Sequence, residues 1–284
     1  MTTETTKSSL QQFAASEREA SRLEARHRHV IDANIDHIRG KSVVDLACNN
    51  GRWSYAAAAA GASRVMGVEG RPEKVEEARA LVEKLGVSDR VSFDVGDMYD
   101  WLYEFDGEAD TVLCLGVYYH IMDHYHLLRL IARHRPACII IDSGFVRSFR
   151  PMVHVKTENP SLHSSALPAF ANQASEIVGL VSLGLMNQMA WNCGYRCEPV
   201  VWDKKKIADR QPVKDYMSGR RFTLRLTKDE TLQGYDRQWK ERWRPALVAL
   251  GNGYEALLDP ATAERVEDER ALPAAEHLRE AGAA

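Results

Sequence analysis

Two carboxylate side chains stand at the ends of short apolar segments early in the chain. Asp45 ends a β-branched run, and the small residues 47–51 lead from it into an alanine-rich helical segment, 52–60. A strand, a tight turn and a helix N-terminus in this order let backbone N–H groups approach a ligand closely. Asp45 suits a positively charged ligand better than a pyrophosphate. Glu69 ends a second run, 65–69, where an acid accepts hydrogen bonds from both hydroxyls of a ribose.

The segments around these acids alternate between strand-like and helix-like patterns. Helices are expected at 72–85 and 124–134, and strands at 91–95, 110–115 and 137–141. This alternation is typical of an α/β fold with a parallel, doubly wound sheet, in which ligands bind outside the carboxyl ends of the strands. Polar residues define that edge here: Asp45, Glu69, Asp97, residues 116–120 and Asp142.

Three further segments flank or interrupt this alternation. Residues 10–38 form one or two amphipathic helices, which either pack on the flank of the domain or cover the site as a lid. The segment 143–178 is too long for an ordinary connection, and such loops in compact domains are usually functional. A helix over 232–258 would carry Trp239, Trp243, Leu247 and Leu250 on one side, packed on the body or on a second subunit.

These features predict three regions and two antiparallel strands that close the sheet. The regions are an N-terminal helical lid, 1–40, a central domain, 41–228, with a substrate-side insertion at 143–178, and a C-terminal helical extension, 229–284. A helix at 182–193 precedes the two expected strands, 195–202 and 222–227. A homodimer is one expected state of the protein, through the tryptophan stripe.

Composition limits the classes of partner. The chain has 284 residues, is 45% hydrophobic and has a formal net charge of -3, so it lacks the positive field that nucleic-acid binding requires. No apolar run is long enough to cross a bilayer, and residues 1–9 lack the apolar segment of a secretory signal. The five cysteines are an odd number and are expected as buried, reduced thiols. We therefore expect a cytoplasmic protein that binds neither nucleic acid nor membrane.

The motifs resemble those of class I, Rossmann-like S-adenosylmethionine-dependent methyltransferases of the small-molecule type, over about residues 41–228. VDLACNNG at 44–51 is similar to the family's first, glycine-rich motif, DTVLCLGV at 110–117 to its fourth-strand motif, and Gly194-Tyr195 to the "GF" before its sixth strand. The resemblance implies a seven-stranded sheet of order 3-2-1-4-5-7-6 with strand seven antiparallel. It also implies S-adenosyl-L-methionine as the cofactor.

The resemblance assigns cofactor contacts along the strand ends. Glu69 matches the acid that binds the ribose, and Asp97 and Met98 match the residues that hold the adenine. The full set of expected cofactor residues is Asp45, Ala47, Asn49, Gly51, Glu69, Gly70, Asp97, Met98 and Leu115. Ala47 and Asn49 replace two motif glycines; alanine still allows close approach, and asparagine tolerates left-handed backbone angles.

The residues after the fourth strand are the candidates for catalysis. Methyl transfer is an in-line displacement, in which the protein aligns the nucleophile and removes its proton where necessary. His120 is either a general base toward a phenol or hydroxyl or a residue that only lines the site. Tyr119 is expected to take part in catalysis with it and Tyr118 to contact the substrate, although one tyrosine of the pair can equally pack in the core.

Further substrate contacts are expected from outside the fourth strand. Asp142 either contacts substrate or caps a turn, and Glu158 either binds a substrate amine or hydroxyl or is a solvated acid. Arg220 is expected to bind a substrate carboxylate, in which case the adjacent Arg221 points away. His154, Glu158 and His163 lack the spacing of metal ligands, so no metal is predicted.

The function predicted from these residues is methyl transfer to an oxygen or nitrogen of a small metabolite. The first alternative is a methyltransferase for tRNA or another macromolecule, which would need a local positive patch. The second is a protein that binds S-adenosylmethionine without transferring its methyl group, and the degenerate glycine loop motivates it.

Overall fold

The computed structural model describes residues 11–159, 175–202, 207, 209–233 and 238–250. A seven-stranded sheet and a separate two-stranded ribbon contain the strands of this part of the chain. The strands are β1 Ser42–Leu46, β2 Arg64–Glu69, β3 Val91–Val95, β4 Thr111–Leu115, β5 Cys138–Gly144, β6 Val153–Glu158, β7 Glu176–Val181, β8 Tyr195–Pro199 and β9 Arg221–Lys228. The α-helices are α1 Glu17–Val30, α2 Arg52–Ala59, α3 Pro72–Lys84, α4 Met98–Glu104, α5 His124–Arg133, α6 Leu183–Asn192, α7 Lys214–Met217 and α8 Trp239–Leu250.

The sheet has the order β3-β2-β1-β4-β5-β9-β8. Strands β1 to β5 pair in parallel, and β9 is antiparallel to both β5 and β8. Counting only the strands of this sheet, the order is 3-2-1-4-5-7-6, so the predicted α/β architecture is confirmed. The five parallel strands therefore end at one edge, where the polar residues identified in the sequence are brought together.

Both faces of the sheet are covered, as expected for parallel strands. On one face, Val43, Leu113 and Ile140 pack in a cluster with residues of α2, α3 and the N-terminal segment. On the other, Val112 and Ile139 pack with residues of α5, α6 and α8. Because successive side chains of a strand point to opposite faces, neighbouring residues of β4 and β5 enter different clusters.

The N-terminal helix α1 lies across the carboxyl edge of the sheet. Ser16 caps it by accepting a hydrogen bond from the backbone N–H of Glu19. Two arginines one turn apart connect the helix to distant segments: Arg22 binds Asp215, and Arg26 binds Asp142 at the end of β5. This position agrees with the lid alternative, although the domain boundaries themselves remain predictions.

The segment 143–178 contains regular structure that the sequence analysis did not predict. Strands β6 and β7 pair antiparallel from Val153–Val181 to Glu158–Glu176 and form the ribbon. Strand β6 is mostly exposed, which explains why its hydrophobic pattern gave no signal of a buried strand. His163 and the rest of 160–174 lie outside the described residues.

The tryptophan stripe packs on the body of the protein. Trp243 is fully buried and its indole N–H donates to the carbonyl of Cys197, while Trp239 meets Phe149 edge to face. The described helix covers Trp239–Leu250; the side chain of Leu250 and residues 251–284 lie outside the described part. The five cysteines are free thiols. Among the described helices, none is long and apolar enough to span a bilayer.

Candidate active site

A cavity of about 760 Å³ opens at the carboxyl edge of the sheet. Its wall is formed by the loops after β1, β2, β3 and β4, by helix α1, by the start of β7 and by the start of β9. Cavities of this size hold a drug-sized or cofactor-sized ligand. The edge predicted from the sequence therefore carries a deep cavity.

The loop after β1 follows an unusual backbone path. Ala47 and Asn49 both have positive φ, 53° and 52°, and both line the cavity. The Asn49 side chain accepts a hydrogen bond from the backbone N–H of Asn50, and the backbone N–H of Asn49 donates to Glu69. This local bonding helps Asn49 to hold a conformation that otherwise favours glycine.

Gly51 is required for packing and does not line the cavity. Its φ is 72°, and a Cβ there would lie 2.8 Å from Cζ of Phe93 and 2.9 Å from Cβ of Ala78. The glycine thus lets helix α2 begin directly against β3 and α3. Gly51 packs against Phe93 and Ala78, and its role as a cofactor contact remains a prediction.

Asp45 is a buried acid in the cavity wall. Its side chain is closed off from solvent, and Oδ2 accepts a hydrogen bond from the hydroxyl of Ser54 at 2.7 Å. Burial raises the pKa of Asp45 to about 7, although the Ser54 hydrogen bonds oppose that shift. A positive charge placed nearby would favour its ionised form, since opposite charges lower a carboxyl pKa.

Glu69 is almost fully buried and accepts several hydrogen bonds. Oε2 accepts from the backbone N–H of Asn49 at 2.9 Å, and Oε1 accepts from the Arg71 side chain at 2.7 Å and from its backbone N–H at 3.1 Å. Gly70 and Arg71 line the cavity beside it. The carboxylate is thus held in one orientation at the end of β2.

The loop after β3 carries the next two predicted residues. Asp97 caps helix α4 by accepting from the backbone N–H of Tyr99 at 2.8 Å, and it also lines the cavity. The apolar side chains of Met98 and Leu115 also line the cavity. The structure therefore brings every predicted cofactor residue except Gly51 to one cavity.

His120 and Tyr119 lie in a single 3₁₀ turn, Tyr118–His120, and both line the same cavity. His120 Nδ1 is 2.5 Å from Oε2 of Glu158, and Oε1 of Glu158 accepts from Lys156 at 2.6 Å. Burial lowers the pKa of His120 below its ordinary value, while Glu158 opposes that shift. Burial alone would raise the pKa of Glu158, but hydrogen bonds from Lys156 and His120 hold it below its ordinary value.

Tyr118 and Asp142 are buried behind the cavity wall. The Tyr118 hydroxyl donates a hydrogen bond to the carbonyl of His124, and its ring packs in the core. Core packing was the alternative expected for one tyrosine of the pair. Asp142 accepts hydrogen bonds from Arg26, Tyr216, Arg221 and Thr223. Burial alone would raise its pKa, but Arg221 and Arg26 hold the pKa of Asp142 well below its ordinary range.

The adjacent arginines have opposite placements. Arg220 is exposed and its Nε donates to the hydroxyl of Ser218, whereas Arg221 is buried and lines the cavity. The sequence predicts that one arginine of the pair faces the site, and the structure places Arg221 there rather than Arg220. Strand β9 begins at Arg221, and pairing of Gly144 with Arg221 fixes which residue turns inward.

Sequence reasoning missed other parts of the wall. Arg22, Arg26, Arg52 and Trp53 line the cavity and were not named as site residues. The spacing of Arg22 and Arg26 on one helix face was a usable signal, because residues four apart in a helix are neighbours. Their partners could not be read from the sequence.

Comparison with known proteins identifies the domain. Residues 43–136 match a family described as a methyltransferase domain. A probable protein arginine N-methyltransferase 6 from Arabidopsis thaliana is 30% identical over 62% of this chain and 38% of its own length. Ajmaline N-methyltransferase from Rauvolfia serpentina is 32% identical over 39% of this chain and 38% of its own length. The chain thus spans well under half the length of these relatives.

The fold is also found among solved structures. The N-terminal domain of EvdMO1, crystallised with SAH bound, has a TM-score of 0.52 at 20% identity, covering 73% of this chain and 81% of that domain. At this identity the likeness concerns the fold. Residues 43–136 are thus similar to a methyltransferase domain, and the strand order and the cavity at the carboxyl edge agree with the Rossmann-like fold that the sequence motifs predict.

Proposed function

We propose that the protein transfers a methyl group from S-adenosyl-L-methionine to an oxygen or nitrogen of a small metabolite. The observation that carries this proposal is that one cavity is lined both by the strand-end acids and by His120, which contacts Glu158. An acceptor bound beside His120 would share that cavity with a nucleoside bound along β1 to β3. A shared enclosed site is what an in-line transfer between two bound molecules requires.

The residues of the cavity fit the proposed cofactor. Asp45 offers a buried carboxyl group to a cationic ligand, and Glu69 offers an oriented carboxylate to ribose hydroxyls. The backbone path of Ala47 and Asn49 leaves the loop open to close approach. S-adenosylmethionine would supply a methyl group activated on a sulfonium, and the protein supplies binding and orientation.

In this proposal, His120 removes a proton from the acceptor. Its lowered pKa keeps the imidazole neutral near pH 7, and Glu158, a residue of the ribbon, holds Nδ1 so that Nε2 is left as the base. For an acceptor that needs no deprotonation, the same residue would orient the substrate. Tyr119 lines the cavity next to His120, with the two ring centroids 4.1 Å apart.

A small acceptor is favoured over a macromolecule by charge and by enclosure. The net charge of -3 supplies no general attraction for nucleic acid. Helix α1 and the β6–β7 ribbon both contribute to the wall around the cavity, which suits an acceptor that is enclosed. A protein acceptor is the second candidate, since the Arabidopsis relative is a probable protein arginine N-methyltransferase.

Calorimetry and a transfer assay test the proposal in two steps. We expect S-adenosylmethionine and SAH to bind with one site per chain. Transfer of labelled methyl is then measured with panels of small phenols, amines and carboxylic acids, and with peptide and tRNA pools. Absence of cofactor binding would refute the methyltransferase assignment. Transfer to peptide or tRNA alone would refute the small-molecule assignment.

A further inference from the structure

Four arginines form one side of the cavity, and we refer to them as the arginine cluster: Arg22, Arg26, Arg52 and Arg221. Two come from helix α1, one begins helix α2 and one begins strand β9. Arginine is the residue best suited to bind carboxylate or phosphate, because its planar group donates two parallel hydrogen bonds.

The cluster has more positive charges than paired carboxylates. Arg22 pairs with Asp215 at 2.6 Å, and Arg52 pairs weakly with Glu19 at 3.4 Å. Arg26 and Arg221 share the one carboxylate of Asp142, at 3.0 and 2.5 Å; within the described part of the chain neither forms a second ion pair. A buried positive charge without its own counterion is costly, and an anion in the cavity would remove that cost.

Arg26 also has unused hydrogen-bonding capacity. It is 9% exposed, its guanidinium lies 4.8 Å from the centre of the Trp53 ring, and its buried Nε has no hydrogen-bond partner among the described residues. Burial and the charge of Arg26 together lower the pKa of Arg52. Both observations indicate a place where a negative group is missing.

Two members of the cluster, Arg26 and Arg221, lie toward the acceptor side of the cavity, because both bind Asp142 at the end of β5. Arg221 pairs with Asp142 at the end of β5 and lies 5.4 Å from the Tyr119 ring, next to His120. The strand ends that would hold the ribose and adenine belong to β2 and β3, at the other side of the sheet. An anion bound by Arg26 and Arg221 would thus belong to the molecule that faces His120.

We propose that the methyl acceptor carries an anionic group, a carboxylate or a phosphate, that binds the arginine cluster of Arg22, Arg26, Arg52 and Arg221. This inference rests on the proposed function and specifies the substrate class for the same site. Helix α1 would then act as the part of the wall that recognises the acceptor, through Arg26.

The test uses protein saturated with SAH, so that any subsite for the cofactor's own carboxylate is already filled. Calorimetric titrations at constant ionic strength compare inorganic phosphate, benzoate and neutral benzamide, which separates the phosphate, carboxylate and uncharged arms. We expect at least one anion to bind saturably and benzamide to bind at least tenfold more weakly. Arg26→Gln should raise the Kd of the anion about tenfold, because a charge-assisted hydrogen bond is removed.

Arg28→Gln is the matched control. Arg28 lies on the same helix, its side chain is 45% exposed, and it pairs with Glu24 away from the cavity. This variant should bind the anion as the wild type does. Equal loss of anion affinity in Arg28→Gln and Arg26→Gln would overturn the proposal. So would a benzamide affinity equal to that of both phosphate and benzoate.

Two further outcomes separate the hypotheses. If Arg26→Gln loses SAH affinity while the SAH-loaded wild type binds no anion, the cluster serves the cofactor carboxylate and the proposal is wrong. If the wild type binds no SAH, the proposed function fails, and this inference fails with it. The comparison of phosphate and benzoate with benzamide in the wild type decides the question even where Arg26→Gln does not fold.

Discussion

Glu69→Gln tests the proposed ribose contact with the smallest change of shape. Glu69 is 2% exposed at the end of β2, and its two oxygens already accept from the N–H of Asn49 and from Arg71. Glutamine keeps the volume and one acceptor oxygen but removes the negative charge. It also replaces the second acceptor with an NH₂ group, which cannot accept a hydrogen bond from a hydroxyl.

The expected effect follows from the bonds that are lost. A hydrogen bond to a charged group contributes about 1.5–3 kcal/mol, and the variant loses one such bond to the ribose while weakening the other. We expect a loss of about 2–3 kcal/mol in SAH binding, which is roughly 30- to 150-fold in Kd. Loss of the ion pair with Arg71 would lower the free energy of unfolding as well, because Arg71 remains partly buried.

Calorimetry with SAH measures the binding loss, and urea unfolding measures the stability loss independently. Glu73→Gln is the matched control, since Glu73 is exposed on the first turn of α3, close in sequence to Glu69. A folded Glu69→Gln protein that binds SAH as tightly as the wild type would refute the ribose contact. An equal loss in Glu73→Gln would show that net charge, rather than the contact, controls binding.

Three further predictions concern the acid, the base and the loop. Because the pKa of Asp45 is raised to about 7, the folded protein keeps this proton where the unfolded chain has lost it, so the free energy of unfolding falls as pH rises from about 4 to 7. SAH affinity should rise up to tenfold per pH unit toward pH 7, because the ionised form of Asp45 binds the cationic ligand. If SAH affinity in Asp45→Asn depended on pH as it does in the wild type, this prediction would be wrong. Glu158 raises the pKa of His120, so Glu158→Gln should move the acidic limb of kcat/KM to lower pH and reduce kcat about tenfold; a lower kcat with an unmoved limb would argue against the pair. Gly51→Ala should cost about 2–4 kcal/mol of unfolding free energy through its positive φ and the contact with Phe93, and urea midpoints equal to the wild type would refute that packing role.

The sheet could be predicted from the sequence because its signals are local. Each parallel strand is a short apolar run, and helical segments with their own start and stop residues separate them, as Pro72 and Gly86 do around α3. The ribbon of β6 and β7 could not be predicted in this way. Its β6 strand is largely exposed, so burial imposed no apolar alternation on it.

The candidate site could be predicted where a single acidic residue stands at the end of a strand that the sequence pattern identifies. Asp45, Glu69 and Asp97 each follow a recognisable strand, and the parallel arrangement brings their loops to one edge. Whether each residue contacts the cofactor remains a prediction. For the arginine cluster, only the spacing of Arg22 and Arg26 was a signal, because its four members come from three separate elements.

The sequence by itself determined that apolar strands alternate with helices and that acids stand at the strand ends, since both follow from neighbours along the chain. Only the tertiary structure decided which side chains meet. The Arg26–Asp142 contact joins residues 116 positions apart, and that between His120 and Glu158 joins residues 38 apart. The choice of Arg221 over Arg220 depended on the pairing of β9 with β5. Long-range pairs of this kind are fixed by packing and register, which no local pattern encodes.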